Sequence, residues 1–224
     1  MNEASNEAKA PSQRTVIRRY SWLAKYDRET IDSILDTALV CQIAYVVDGQ
    51  PFVTPTNFWR IDNYVHWHGS AASRMLRAQE KAIPVCFSVT HLDGIVIARS
   101  AFNHNVNFRS VMAFGVAELL GEEEKRAALK GFVDKLMPGL WEHARQPTEK
   151  EWSATKVLRL ALDEVSAKVR TGPPIDDDED YALDSWAGVI PLRTITEEVQ
   201  PDPRLRAGID TPSFATNFRW ARPP

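Results

Sequence analysis

The stretch HWHGSAASR, residues 66–74, carries the most structural information in this chain of 224 residues. It predicts a strand that ends at Gly69 and a helix that begins on Ser70, with Ser73 and Arg74 in the first turns. Free N–H groups at a helix start, two hydroxyls and a guanidinium together suit a bound phosphate. The alternative is an ordinary surface helix with an incidental arginine. The stretch therefore predicts a strand–helix unit and raises a phosphate site as a hypothesis.

The same stretch contains two histidines. His66 and His68 lie two residues apart on the predicted strand, so their side chains point to the same face. Such a pair can contribute to a metal site, but a third ligand would have to come from His91, His104 or His143, and no motif connects them. Histidines that pack or hydrogen-bond explain the pair without a metal, and no metal site is predicted.

Short strands and tight turns surround this unit. Residues Leu39–Val47 form a β-branched strand that ends in Asp48-Gly49, a strong hairpin signal. The second strand of the hairpin, Phe52–Ile61, is interrupted by Pro55, which indicates an edge strand, a bulge or a ligand-facing break. Further strands are predicted at 64–68, 83–89, 94–98, 110–120, 157–162 and 165–170.

Three helices are predicted around the strands. Asp27 caps the first, Glu122–Leu136 is amphipathic, and Thr148 and Glu151 form a capping box for the third. About seven short strands in two runs, with no regular β-α-β alternation, favour a mostly antiparallel barrel with peripheral helices over a doubly wound sheet. The expected division of the chain is a flexible leader over 1–18, the main domain over 19–192, and a C-terminal extension over 193–224 that packs on the domain or on a dimer.

Composition and charge exclude several classes of protein. With 27 Lys+Arg against 30 Asp+Glu, the net charge of -3 provides no global positive field for nucleic acid. The longest apolar run, Ala38–Val47, is broken by Gln42 and is half a membrane span. The first residues lack the basic start and apolar stretch of a secretory signal. Cys41 and Cys86 have no metal-type spacing and suit buried thiols in a reducing cytoplasm. We expect a cytoplasmic protein without nucleic-acid or membrane partners.

Six segments share one family pattern. They are, in chain order, DGQPFVTP (48–55), HWHGS with SR (66–70 and 73–74), LDGIV (92–96), NFRSV with a later glycine (107–111 and 115), SAKVRTGPP (166–174) and WAGVIPL (186–192). Together they resemble the pyridoxamine 5′-phosphate oxidase-like flavoproteins with the FMN-binding split β-barrel fold, and most closely the branch that includes the nitroimidazole-resistance-type proteins. The resemblance implies an antiparallel split β-barrel and a homodimer with two FMN sites at the subunit interface.

The resemblance also assigns cofactor-binding residues in four groups. The residues that run along the flavin ring are Thr54, Pro55, Thr56 and Asn57. Those that surround the ribityl chain and phosphate are His68, Gly69, Ser70, Ser73 and Arg74. Those that approach from the neighbouring strand are Arg109 and Ser110. Those that reach the site across the dimer are Lys168, Arg170 and Trp186.

Departures from the family pattern limit the activity that the resemblance implies. The vitamin B6 oxidases carry a lysine directly after the Ser-Arg pair, where this chain has Met75, and their C-terminal Arg-x-His motif has no counterpart. The predicted function is therefore an FMN flavoprotein that acts as an oxidoreductase on a small organic substrate, with no catalytic side chain assigned. Two alternatives stay open: a non-catalytic flavin-binding or storage protein, and the same fold holding a deazaflavin or haem.

Overall fold

The computed structural model describes residues 8–220. Residues 1–7 of the predicted leader and 221–224 of the predicted extension lie outside the described part. Within the rest of the leader, Arg14 forms an ion pair with Glu164 at 2.7 Å, and the backbone N–H of Ile17 donates to the Tyr26 hydroxyl. These contacts attach residues 14–17 to the main domain.

The described part of the chain contains ten strands, six α-helices and two short 3-10 helices, Ser21–Leu23 and Asp178–Ala182. The strands are β1 (Ala24–Lys25), β2 (Val40–Val47), β3 (Gln50–Ile61), β4 (Tyr64–Ser70), β5 (Pro84–Ile97), β6 (Asn105–Val116), β7 (Glu118–Leu119), β8 (Thr155–Ala161), β9 (Val165–Arg170) and β10 (Gly188–Pro191). The helices are α1 (Arg28–Asp36), α2 (Arg74–Gln79), α3 (Glu122–Leu136), α4 (Leu140–His143), α5 (Glu149–Ala154) and α6 (Ser213–Thr216). None of these helices has the length and apolar composition needed to cross a bilayer.

The strands form an antiparallel split β-barrel, as predicted. Their order is β1-β9-β6-β5-β2-β3-β4-β8-β7, and β10 pairs with β5. Strand β3 belongs to two sheets: residues 50–57 pair with β2, whereas Phe58–Ile61 pair with Tyr64–Trp67 of β4. The sheet therefore divides along β3, and the part of β3 around Pro55 is a free edge that tolerates proline.

The main hydrophobic core lies between the barrel walls and α1. Asp27 caps α1, with its Oδ1 accepting a hydrogen bond from the Thr30 N–H at 2.8 Å. The spacing of Ile31, Ile34 and Leu35 places all three side chains on one helix face, and each is fully buried. The core side chains that the strands supply include Cys41, Ile43, Tyr45, Phe58, Trp67, Val85, Phe87, Val111 and Leu160.

One prediction about the strands differs from the structure. The strands expected at 83–89 and 94–98 are one strand, β5, which continues through a bulge between Leu92 and Gly94. Asp93 and Gly94, residue types that are common in turns, here produce an irregularity in strand pairing and no reversal of the chain. Gly115 makes room for a neighbouring side chain, because a Cβ atom there would lie 2.8 Å from Leu160 Cδ1.

The helix predicted to begin on Ser70 begins later. The first residue of α2 is Arg74, and Ser73 occupies the N-cap position without a side-chain cap bond. The Ser70 hydroxyl instead accepts a hydrogen bond from the Ala72 N–H at 3.2 Å. Ser70 thus shapes the turn between β4 and α2, which is a common role for serine in loops.

Candidate functional site

Strand β4 separates the core from a second cluster of aromatic side chains. Because side chains alternate along a strand, Trp67 faces the main core while His66 and His68 face the other side. The His66 ring stacks on Trp59 with the ring centroids 5.7 Å apart, and the His68 ring lies 4.9 Å from the ring of Phe132 on α3. The two histidines of residues 66–74 therefore lie beneath α3.

A cleft opens beside His68, where α3, α4 and α5 meet the second sheet. Its volume is about 270 Å³. The residues that line this cleft are His68, Leu129, Val133, Trp141, Arg145, Pro147, Glu151, Trp152 and Thr155. Its walls are mainly apolar and aromatic, with a histidine, an arginine, a glutamate and a threonine as the polar groups. This composition is typical of a site for a largely apolar ligand that carries a few polar groups.

Helix α5 forms one wall of the cleft, and its position is fixed at both ends. The predicted capping box is present, because the Thr148 hydroxyl accepts from the Glu151 N–H and the Glu151 carboxylate accepts from the Thr148 N–H. At the other end, the buried ammonium of Lys125 donates to the Trp152 carbonyl at 3.0 Å. The Trp152 side chain, 5% exposed, is thereby held against α3.

The electrostatic environment of the two histidines favours their neutral form. Burial lowers the pKa of His68 from its ordinary value, and burial, with a smaller effect from Arg159, lowers the pKa of His66 to about 4. The buried Nδ1 atoms of both rings have no hydrogen-bond partner among residues 8–220. A neutral imidazole with an unpartnered nitrogen is a competent metal ligand, and His68 borders the cleft.

An arginine lies at the mouth of the cleft in an ordered ion pair. Arg145 Nη2 donates to Glu151 Oε1 at 2.8 Å, and Nη1 donates to Glu151 Oε2 at 3.0 Å. Nη1 also donates to the Gln146 carbonyl at 2.8 Å. The hydrogen bonds from Arg145 and then from Thr148 lower the pKa of Glu151 to about 2, so the carboxylate is ionised at neutral pH.

The residues predicted to bind flavin divide into groups. The first lies around the free edge of β3, where the Arg74 guanidinium covers the Phe52 ring at 4.2 Å from its centroid. Arg74 is exposed, and neither it nor the Ser73 hydroxyl has a hydrogen-bond partner in the described part of the chain. Residues 54–57 lie on the same edge, with Thr54 and Thr56 turned to the core side. The structure thus brings residues 54–57 and 69–74 to one region. Residues 54–57 and 69–74 include all of the predicted ring-side and phosphate-side residues except His68, whose ring lies in the cleft.

The second group lies further along the same sheet, on β6 and β9. Ser110 of β6 is paired with Lys168 of β9, whereas β5 and β2 separate them from β3. With strands about 4.8 Å apart, three steps between β3 and β6 correspond to roughly 14 Å. One chain therefore does not bring Ser110 and Lys168 together with Arg74.

Both groups nevertheless share a surface. Ser110 and Lys168, like Pro55 and Asn57, lie on the face of the large sheet that points away from the core. We call it the outer sheet face. Its members on β2, β3, β5 and β6 include Val40, Gln42, Ala44, Val46, Val53, Pro55, Asn57, Cys86, Ser88, Ser110, Met112 and Phe114. Many of these side chains are apolar, and Val53, Val46 and Val40 are all more than half exposed.

The remaining predicted residues already have partners or lie apart. Arg109 forms a two-pronged ion pair with Asp93, at 2.8 and 2.9 Å. Arg170 is buried and donates to the Asn107 side chain and to the Pro173 carbonyl. Trp186 is 66% exposed and packs beside Gly188, at the start of β10. No hydrogen bond or ion pair joins Arg109, Arg170 and Trp186 in the described chain.

A family model described as pyridoxamine 5′-phosphate oxidase matches residues 27–169. The chain belongs to this family. No match was found among curated protein sequences. The matched range covers α1 and all of the barrel strands from β2 to β8, and ends within β9, so membership rests on the same elements that form the split barrel.

Three solved structures are similar to this chain. Flavocytochrome Anf3 from Azotobacter vinelandii is 50% identical, with a TM-score of 0.92 over 96% of this chain and 100% of that chain. The FAD and haem binding protein from Mycobacterium smegmatis is 36% identical, with a TM-score of 0.85 over 89% of this chain and 100% of that one. A putative 5-nitroimidazole antibiotic resistance protein from Bacteroides thetaiotaomicron, 21% identical, shares the fold with a TM-score of 0.55 over 65% and 86% of the two chains.

The sequence patterns of this pyridoxamine 5′-phosphate oxidase family member did not reveal the cleft. Trp141, Arg145 and Trp152 come from a loop and two short helices that converge only in the folded chain. The usable signals were the His66/His68 pair and the number of tryptophans, which is seven. Core packing explains the histidine pair and the tryptophans equally well, because nothing in the sequence shows that a cleft separates α4 from β4.

Proposed function

We propose that this chain is a flavocytochrome, a redox protein that binds a flavin at the split of the barrel and a haem in the cleft. The observation that carries the proposal is His68, whose neutral ring has a buried unpartnered nitrogen and borders an apolar cleft. Its likeness to flavocytochrome Anf3 and to the FAD and haem binding protein supports the same pair of cofactors.

The residues of the cleft fit a haem. Histidine is a common axial ligand of haem iron, and burial keeps the His68 ring in the form that ligates. Leu129, Val133 and Trp141 offer apolar surface to a flat macrocycle. The cleft volume of about 270 Å³ is just below the usual range for ligand pockets, roughly 300–1,000 Å³, so part of a haem would extend through the open mouth at Arg145.

The flavin belongs to the other region of the molecule. Ser73 and Arg74 have donors free for a phosphate, and they lie beside the edge of β3 that the family resemblance assigns to the flavin ring. The sequence predicts FMN, and the 36% identical relative is described as binding FAD. We favour FAD on that likeness; both flavins present a phosphate to Arg74.

A homodimer is part of the proposal. Pro55 and Asn57 share the outer sheet face with Ser110 and Lys168, and this face is largely apolar and exposed in the single chain. A second copy packed on it would bring Ser110 and Lys168 of one chain towards the β3 edge of the other. Such a dimer would let Ser110, roughly 14 Å from the β3 edge within one chain, and Lys168, one strand further away, contribute to one flavin site.

The protein's contribution is binding, orientation and exclusion of water. A flavin supplies two-electron chemistry and a haem supplies one-electron chemistry, so the pair connects a two-electron donor with a one-electron acceptor or with dioxygen. His68 would hold the iron, the apolar cleft would keep water from it, and Arg74 would anchor the flavin phosphate. The vitamin B6 reaction is not proposed, because Met75 stands where the vitamin B6 oxidases carry a lysine, is 6% exposed and packs in the main core.

The test is the absorption spectrum of the purified, haem-supplied protein and of two histidine variants. We expect flavin bands together with a Soret band, and His68→Ala should lose the Soret band and keep the flavin. His143→Ala is the matched control, since His143 lies on α4 outside the cleft lining and should keep both. A Soret band that survives in His68→Ala would rule out His68 as the residue that would hold the iron.

Two further measurements separate the alternatives. Chromatography of the flavin released by denaturation distinguishes FAD from FMN or a deazaflavin. Reduction by NADH or NADPH followed by reoxidation with a small organic acceptor distinguishes an oxidoreductase from a flavin-storage protein. A cytoplasmic location is proposed with these, because Cys41 and Cys86 are both free thiols.

A further inference from the structure

Arg145 has one edge of its guanidinium occupied and one edge free. Nη1 and Nη2 together hold the Glu151 carboxylate, and the second Nη1 proton is donated to the Gln146 carbonyl. Arginine has five N–H donors, so the Nε–H and one Nη2–H remain, and neither has a partner among residues 8–220. These two donors form the side edge of the guanidinium, which is a fork of the right width for a carboxylate.

Glu151 holds this fork in place. Its carboxylate is fixed independently of Arg145, because the Thr148 N–H donates to it at 2.7 Å and the Thr148 hydroxyl at 3.0 Å. Arg145 is thus oriented at the cleft by a partner that a ligand does not need to displace. An exposed ion pair by itself contributes little to stability, and the side chains of Arg145 and Glu151 are 67% and 50% exposed. The effect of the pair that matters here is therefore the direction it gives to the guanidinium.

We propose that the free Nε–Nη2 edge of Arg145 is a carboxylate subsite of the cleft, which selects a flat apolar ligand carrying a carboxylate on its rim. The inference rests on the proposed function, in which that ligand is a haem and the carboxylate is a propionate. In this arrangement Arg145 would bind the carboxylate on the rim, and His68 would hold the iron. The apolar walls formed by Leu129, Val133 and Trp141 then supply affinity without distinguishing an acid from its ester.

The test compares two metal-free porphyrins, protoporphyrin IX and its dimethyl ester, titrated by fluorescence into wild type and Arg145→Gln. The variant should bind the diacid about tenfold more weakly, since a charge-assisted two-pronged contact is lost. It should bind the ester with less than about a twofold change, which also shows that the cleft is still folded. Arg145→Lys should recover only part of the diacid affinity, because an ammonium keeps the charge and loses the fork.

Lys150→Gln is the control for the loss of one positive charge, since Lys150 is exposed on α5 and does not line the cleft. It should bind both porphyrins like wild type. Equal weakening of acid and ester in Arg145→Gln, no weakening of either, or the same loss in Lys150→Gln would each overturn the carboxylate subsite. If wild type binds neither porphyrin, the haem part of the proposed function fails, which is a separate result.

Discussion

Arg74 covers the Phe52 ring and has no hydrogen-bond partner in the described chain. If it anchors a flavin phosphate, Arg74→Ala should weaken FMN and FAD binding about ten- to a hundredfold, since a hydrogen bond to a charged group contributes roughly 1.5–3 kcal/mol. Riboflavin, which has no phosphate, should bind almost unchanged. Flavin fluorescence titration measures all three ligands.

Arg77→Ala is the matched control, because Arg77 lies on the same helix and donates to the Ala71 carbonyl. Equal losses for riboflavin and FMN in Arg74→Ala would show that Arg74 acts through its packing on Phe52 and that the phosphate is bound elsewhere.

His66 makes stability depend on pH. Its pKa is about 4 in the folded chain and near 6.5 in the unfolded chain, mainly because of burial. Between these values the unfolded state binds the extra proton, so the free energy of unfolding falls as the pH drops through the window. From pH 7 to pH 5 the loss attributable to His66 is about 2 kcal/mol, at about 1.4 kcal/mol per pKa unit.

Urea unfolding at pH 7 and pH 5 checks this effect. His66→Phe keeps a ring beside Trp59 and removes the titrating group, so its stability should fall less than that of wild type by about 2 kcal/mol. An identical pH dependence in the two proteins would show that His66 is not responsible. Carboxylates such as Glu151 titrate in both proteins and cancel in the comparison.

Among the helices, α5 is only six residues long, so its stability depends mainly on its capping box. Thr148→Ala removes the side-chain cap and should lower the free energy of unfolding by about 1 kcal/mol. Because the same hydroxyl positions Glu151, the variant should also weaken binding in the cleft. Ser153→Ala is the control, since its hydroxyl bonds only to the Glu149 carbonyl within the helix. Thermal unfolding and ligand titration measure these two effects. Equal stability and equal ligand affinity of Thr148→Ala and Ser153→Ala would contradict the role of the capping hydroxyl.

The elements were predictable to different degrees. Residues Glu122–Leu136 were predicted as a helix with the observed bounds. Apolar residues that recur about every 3.6 positions over 15 residues are typical of a helix and not of a strand. The continuation of β5 through a bulge was not predicted, because the pair Asp93-Gly94 is also typical of a hairpin turn. The hairpin at Asp48-Gly49 was predicted correctly from an equivalent pair, with positive φ at both residues. Short-range signals cannot distinguish these outcomes, since only the partner strands β6 and β10 keep residues 94–97 extended.

The candidate site was predictable in part for a similar reason. The stretch 66–74 identified the strand–helix unit, and the family resemblance placed residues 54–57 next to it. The cleft was not predicted, because His68 faces it through strand alternation but its other walls come from α3, α4 and α5. Their positions depend on tertiary contacts such as the one between Lys125 and the Trp152 carbonyl.

For the whole molecule, the outer sheet face predicts a homodimer. Size-exclusion chromatography with light scattering should give about 51 kDa, twice the chain mass of 25.3 kDa. Val53 is 64% exposed on this face, so Val53→Glu should give a monomer that binds flavin weakly, because a charge would be buried between the copies. Leu119→Glu, on the far edge strand β7 and 47% exposed, should leave the dimer intact. A flavin-binding monomer of wild type would contradict the shared site.

Three of the seven tryptophans surround one end of β4: Trp141 and Trp152 line the cleft, and Trp59 lies 5.7 Å from the His68 ring. Indole emission overlaps the main absorption band of porphyrins, so an occupied cleft would take up the excitation energy of these three side chains. The molecule therefore carries its own optical reporter. Filling of the cleft would be visible as a loss of ultraviolet-excited fluorescence, in real time and without a label.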